Sequence, residues 1–159
     1  MKRKFFILLV LFGLLCGFST NAYAQTAPEI VTAEDLDKIL SVAREFGTAE
    51  LTTDSEGDPK ISGEVYTVSY SILFYGCEDN KNCKEISFFT GWGDFTGSEE
   101  DVREWSWRRG FGQAAVRNGD ALLKMKVNLN KGVTMDNFRE TFRLWTFQMV
   151  NFGDTVVNK

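Results

Sequence analysis

Two runs of alternating residues, joined by a polar connector with a cysteine at each end, constrain this chain more than any other feature. The first, "EVYTVSYSILFYG", carries Tyr66, Val68, Tyr70, Ile72 and Phe74 at every second position, with Thr67, Ser69 and Ser71 between them. The second, "KEISFF", repeats the pattern with Ile86 and Phe88. A period of two sends one set of side chains to a core and the other to water, as in a half-buried strand. Strand, polar connector and strand in succession predict an antiparallel hairpin. Cys77 and Cys83 stand where its arms meet, within reach of one disulfide.

Whether those thiols pair depends on compartment, and the N-terminus speaks to that. Met1-Lys2-Arg3-Lys4 is followed by the apolar run "FFILLVLFGLLCGF" and then by Ala22-Tyr23-Ala24, a small-x-small end. Basic patch, apolar run and small-x-small end together form a secretory signal. The run, from Phe5 to Phe18, is shorter than the roughly 20 residues a bilayer span needs. Cleavage is expected between Ala24 and Gln25, delivering a periplasmic or secreted protein. Cys16 follows Leu15 rather than the small residue that precedes a lipoprotein cysteine, so it is expected to leave with the signal.

In an oxidising space a disulfide persists. A redox pair would need the C-x-x-C spacing at a helix N-terminus, whereas five residues separate these two. Zinc would need four ligands, and the chain has no histidine and three cysteines in all. Cys77 and Cys83 are therefore expected to be a structural staple.

Removing 24 of 159 residues leaves 135, enough for one domain with its own core, spanning 25–159. Lys2, Arg3 and Lys4 leave with the signal and no acid does, so the net charge falls from −4 to −7. Such a chain suits neither nucleic acid nor an anionic membrane surface. The absence of histidine removes the commonest general base, and serine-histidine triads with it. No metal or cofactor is expected.

Along the chain, "TAEDLDKILSVAREFG" predicts an amphipathic helix. Thr32 and Asp35 have capping-box spacing, Leu36, Ile39, Leu40, Ala43 and Phe46 share a face, and Gly47 ends it. "TAELTTD" predicts a short strand and "SEGDPKISGE" a turn-rich connection. Asp54, Glu56 and Asp58 in it lack the full ligand set of a calcium loop and fit a solvated turn. After the hairpin, "TGWGDFTG" is a glycine-rich loop. "SEEDVREWSW" begins a second helix with Ser98 and Asp101 as capping pair and acids in its first turn. Asn118-Gly119 is a type I′ hairpin signal between "GFGQAAVR" and "DALLKMKVNLN", whose Ala121, Leu123, Met125, Val127 and Leu129 alternate. Phe138, Phe142, Trp145, Met149 and Phe152 then form a helical stripe with Thr134 as N-cap. The predicted order is α-β-β-β-α-β-β-α: an α+β two-layer domain, an antiparallel sheet with helices packed on it.

With these segments placed, the chain resembles the YbjN-domain family of bacterial proteins, in its secreted, cysteine-containing branch. "GDPKI", "YTVSYSILFYGC…C", "GW", "EWS" followed by "FGQA", "KVNLNKGVT" and the late tryptophan helix carry the resemblance, from about Leu36 to Phe152. It implies a fold similar to type III secretion chaperones, and a sensory-transduction regulator or chaperone-like protein with no established enzymatic chemistry. The chain departs from the family pattern at Arg103 and Ser106, where asparagines are usual, and at Gly110, where an arginine is usual.

Glu104 and Asp94 are conceivable general acids, but glycoside chemistry needs two carboxylates at a set separation, and helical acids are ordinarily solvated. No catalytic residue is assigned. Aromatic residues are the surplus, with 14 Phe, 4 Trp and 4 Tyr in the chain. Trp92, Phe95 and Trp107 lie in or beside glycine-rich, polar stretches and are candidates for a partner-binding surface. The alternative for Trp92 is a lid folded over the core. The leading expectation is a non-enzymatic protein-binding or regulatory module, with a second copy of the chain among candidate partners. The competing one is a periplasmic small-ligand or glycan sensor with a pocket beside the second helix.

Overall fold

The computed structural model describes residues 27–159. The signal segment with Cys16 and the cleavage site at Ala24 and Gln25 lie outside the described residues. The architecture is the expected one, α+β with helices packed on an antiparallel sheet. The sheet's strands are β2 (Thr48–Thr53), β3 (Pro59–Val65), β4 (Val68–Tyr75), β5 (Glu85–Trp92), β6 (Gln113–Arg117) and β7 (Asp120–Asn128). Their spatial order is β2-β3-β4-β5-β7-β6, and every pairing is antiparallel. A second, two-stranded sheet pairs β1 (Ile30–Val31) with β8 (Val133–Thr134). The helices are α1 (Leu36–Phe46), α2 (Glu99–Arg109) and α3 (Met135–Phe152), the last running into a π turn at Gly153–Val157.

Sequence and structure part company over one strand. The region expected as turn-rich chain contains β3, and the run expected as one strand from Glu64 to Gly76 is broken at Tyr66-Thr67. Both residues have positive φ, 49° and 72°, so the chain reverses there in a two-residue hairpin. Four main-sheet strands thus precede α2 instead of three. Tyr66, expected on the core face, is 81% exposed at the hairpin tip, whereas Tyr70, Ile72 and Phe74 are buried as the alternation predicts.

One face of the sheet carries the core. Ile61, Ile72, Phe88 and Met125 stand opposite one another in register across β3, β4, β5 and β7, all buried. Phe138, Phe142, Trp145, Met149 and Phe152 of α3, the predicted stripe, are fully buried. Phe142 is the hub: its ring meets Phe46 of α1 at 4.9 Å, Phe88 at 5.3 Å and Tyr70 at 5.7 Å. Edge-to-face and offset-stacked pairs of this kind add stabilisation beyond the area they bury. An ion pair between Glu45 and Arg139 (2.7 Å) ties α1 to α3 outside the core.

Caps behave largely as the sequence indicates. The Ser98 hydroxyl accepts the Glu100 and Asp101 N–H groups, and Thr134 accepts that of Asn137. The Thr32–Asp35 pair is bonded as well, the Thr32 N–H donating to Asp35 at 2.8 Å, but the helix begins only after it. Those bonds, the backbone one foremost, hold the Asp35 carboxyl below its usual pKa. Cys77 and Cys83 are joined by a disulfide. Inside the bridge, Glu78 and Lys81 pair their backbones around a two-residue turn, Asp79-Asn80, with φ of 54° and 60°.

Candidate groove between helix α2 and strand β6

Sequence makes α2 a helix of low apolar content. Its acidic first turn and basic last turn suit the helix dipole, and only Val102 and Trp105 are buried. Trp105 faces inward, its ring 4.8 Å from Phe152 and its Nε1–H donating to Asn151 at 3.0 Å. Gly110, at φ 73°, ends the helix in the left-handed conformation, and a short turn leads into β6. Asn118-Gly119, at φ 53° and 87°, forms the predicted hairpin and returns the chain as β7. Because β7 pairs with β5 on its other side, β6 is left at the sheet's edge, flanked by α2.

Helix and strand touch through one polar contact, the Ala114 N–H donating to the Ser106 hydroxyl at 3.1 Å. Around it lies an open groove of about 510 Å³, walled by Glu99, Val102, Arg103, Ser106 and Trp107 of α2 and floored by Ala114, Ala115 and Val116 of β6. Trp107 is 85% exposed. A second groove, about 450 Å³, lies on the other flank of the same strand. Phe89, Leu122 and Ala115 contribute its apolar surface, with Gln113, Arg117 and Lys124 around them.

The three aromatic candidates go to different places. Trp107 lines the first groove. Trp92, at the end of β5, is half-buried, its ring 5.2 Å from Phe152 and against Gly153, so it closes the core as a lid. Phe95 is also half-buried against the core and folds over Gly97, its N–H donating to the Gly119 carbonyl at 2.8 Å. Arg103 and Ser106, two of the positions where the chain departs from the pattern it resembles, line the groove beside Trp107. Arg103 pairs with Glu100 on its own helix. The sequence reasoning missed the β6 floor and the cationic second groove. Small alternating residues in "QAAVR" signal a strand, but only the sheet order reveals that it is an edge.

Among the described residues no group of histidine, cysteine or carboxylate side chains is arranged to hold a metal ion, and no helix is long and apolar enough to cross a membrane. Displaced pKa values belong to ion pairs and caps elsewhere, such as Glu45 lowered by its bond from Arg139, and to the buried phenol of Tyr70. The groove presents apolar surface, a guanidinium, a carboxylate, a hydroxyl and a strand edge. A family model described as "Putative bacterial sensory transduction regulator" matches residues 35–156. No curated protein matches the chain.

Proposed function

We propose, from the premise that this chain belongs to the YbjN family, that it is an exported, non-enzymatic regulatory module. It acts by holding a protein partner in the groove between α2 and β6. The observation that carries this reading is Trp107, a large apolar side chain held 85% exposed on a regular helix beside a cleft of mixed polar and apolar lining. Core packing gives it no role there, and tryptophan is prominent among the residues that dominate binding energy at interfaces. Its neighbours Arg103 and Ser106 add directional hydrogen bonding without burying a charge.

The test is affinity capture from periplasmic extract with wild-type protein and Trp107→Ala. A partner retained by wild type and lost from the variant, at unchanged melting temperature, supports the reading. Identical capture profiles, or none in either, refute it. The competing reading, a small-ligand or glycan sensor, draws on the same cleft, whose 510 Å³ lies within the range of small-molecule pockets. A thermal-shift panel of glycans and metabolites separates the two, because a ligand that binds only the native state raises its melting point.

A further inference from the structure

We infer that the free edge of β6 takes an acidic, extended peptide segment of the partner as an added strand. This rests on the protein-binding reading above and specifies its mode. The starting observation is the unpaired backbone. Ala114 donates its N–H to Ser106, so that residue points its amide and carbonyl away from β7. Two residues on, Val116 presents its own N–H and carbonyl to the same side, and neither has a partner among the described residues. Native proteins ordinarily guard such an edge with lysine, proline, a bulge or a covering helix, and α2 covers this one in part. Here the central residues are Ala114, Ala115 and Val116, none of which obstructs an incoming chain.

Helix α2 runs beside β6 and bonds to its edge through Ser106 alone, so an incoming strand enters the cleft by moving the helix outward. An added strand would pair with Val116 and send its side chains alternately to either side of the sheet plane. One set would meet Val102 and Trp107 in the first groove. The other would point to the sheet face that holds the second groove, whose wall on β6 is Gln113, Ala115 and Arg117.

Charge selects the kind of segment. The chain is acidic overall, yet the two grooves together hold Arg103, Arg117 and Lys124 against Glu99 alone. Among the described residues Arg117 and Lys124 make no ion pair within 4 Å. Lys124, and Arg117 with Asp120 opposite it across the hairpin, stand beside an apolar floor and favour a strand that alternates carboxylates with apolar side chains, and disfavour its cationic counterpart.

The probe is a fluorescein-labelled peptide of alternating glutamate and valine, about ten residues long. Two controls accompany it: the lysine–valine counterpart, and the same acidic peptide N-methylated at alternate backbone nitrogens. Anisotropy titrations of the disulfide-bonded protein should show saturable binding of the acidic peptide, weakening as salt is raised. Each control should bind at least about tenfold more weakly. Amide shifts in 15N spectra should centre on Val116 and Arg117.

Val116→Pro removes the edge N–H at a position where an edge strand tolerates proline, and should abolish binding. Arg117→Glu with Lys124→Glu leaves the backbone intact and should weaken it at least about tenfold. Equal binding of the lysine peptide, full binding of the N-methylated one, or shifts confined away from β6 would overturn the inference. So would a native mass of two chains that Val116→Pro reduces to one, which would give the edge to a second copy. If Val116→Pro still captures the partner that Trp107→Ala loses, strand addition fails while the protein-binding reading stands.

Discussion

Tyr70 shows how much one residue is asked to do by the strand it sits in. Its ring reaches across to β3, where a Cβ on Gly63 would lie 2.5 Å from the phenol oxygen, so only glycine fits opposite it. The hydroxyl is buried without a hydrogen-bond partner among the described residues, and burial pushes its pKa up to about 12. The fold therefore favours the neutral phenol. That preference costs nothing while an unfolded tyrosine is also neutral, below about pH 10. Between there and about 12 the unfolded chain gives up a proton that the native one keeps, so stability falls as pH rises. Tyr70→Phe should match or exceed wild type at pH 7, since it deletes an unsatisfied group, and should show a shallower loss of denaturant stability above about pH 10. A similar contrast separates two tryptophans. Trp92→Ala opens space against Phe152 and should cost about 2 kcal/mol, less than a fully buried ring, while Trp107→Ala should stay within about 0.5 kcal/mol of wild type. Thermal and urea melts of the two variants check this.

Among the elements, the stapled β4–β5 hairpin carries the clearest stability prediction. The bridge closes only a short loop, and its turn already has the Glu78–Lys81 backbone pair and a Lys84–Glu78 ion pair at 2.9 Å. Replacing both cysteines with serine should lower stability by about 2 kcal/mol and leave the far-ultraviolet circular dichroism unchanged. Lost partner capture without lost stability would point instead to redox work. The same region shows what sequence could and could not disclose. The β6–β7 turn was legible because Asn118-Gly119 tolerates positive φ at both centres. The β3–β4 turn uses the same geometry at Tyr66-Thr67, which announce no turn and continue the alternation of the strand they interrupt. Local propensity there is overridden by what lies on either side: Val65 and Val68 pair, and Ile61 and Ile72 meet in the core. Helices α2 and α3 were legible through Ser98 and Thr134, whose hydroxyls cap where the pattern places them. The groove was legible as Trp107 and as an expected pocket beside the second helix. Its floor depends on which side of β5 the second hairpin joins, and no residue in "QAAVR" encodes that by itself.

Taken whole, the molecule distributes its stability unevenly, and the uneven part is the groove. Helices α1 and α3 lie against the core face of the sheet and share the Phe142 hub, so ring contacts clamp β4 and β5, and β3, β4, β5 and β7 each have strands on both sides. Strand β6 has a neighbour on one side only. Helix α2 adds Val102, Trp105 and the Ser106 contact, against seven buried side chains for α3. Opening α2 with β6 should therefore require much less free energy than unfolding the sheet, since the openings of lowest energy are those that expose least apolar area. Native-state hydrogen exchange should find amides of α2 and β6 at least about a hundredfold less protected than those of β5, through an opening of small denaturant dependence. Uniform protection across β5, β6 and α2 would make the groove as rigid as the core. A partner strand seated on β6 would then have to fit the cleft as it stands. The expected low local stability gives it a hinge, because α2 can shift about its Trp105 anchor without disturbing the rings beneath. Binding that pairs the free edge should raise the protection of β6 toward that of β5 and leave β2, at the opposite edge, unchanged.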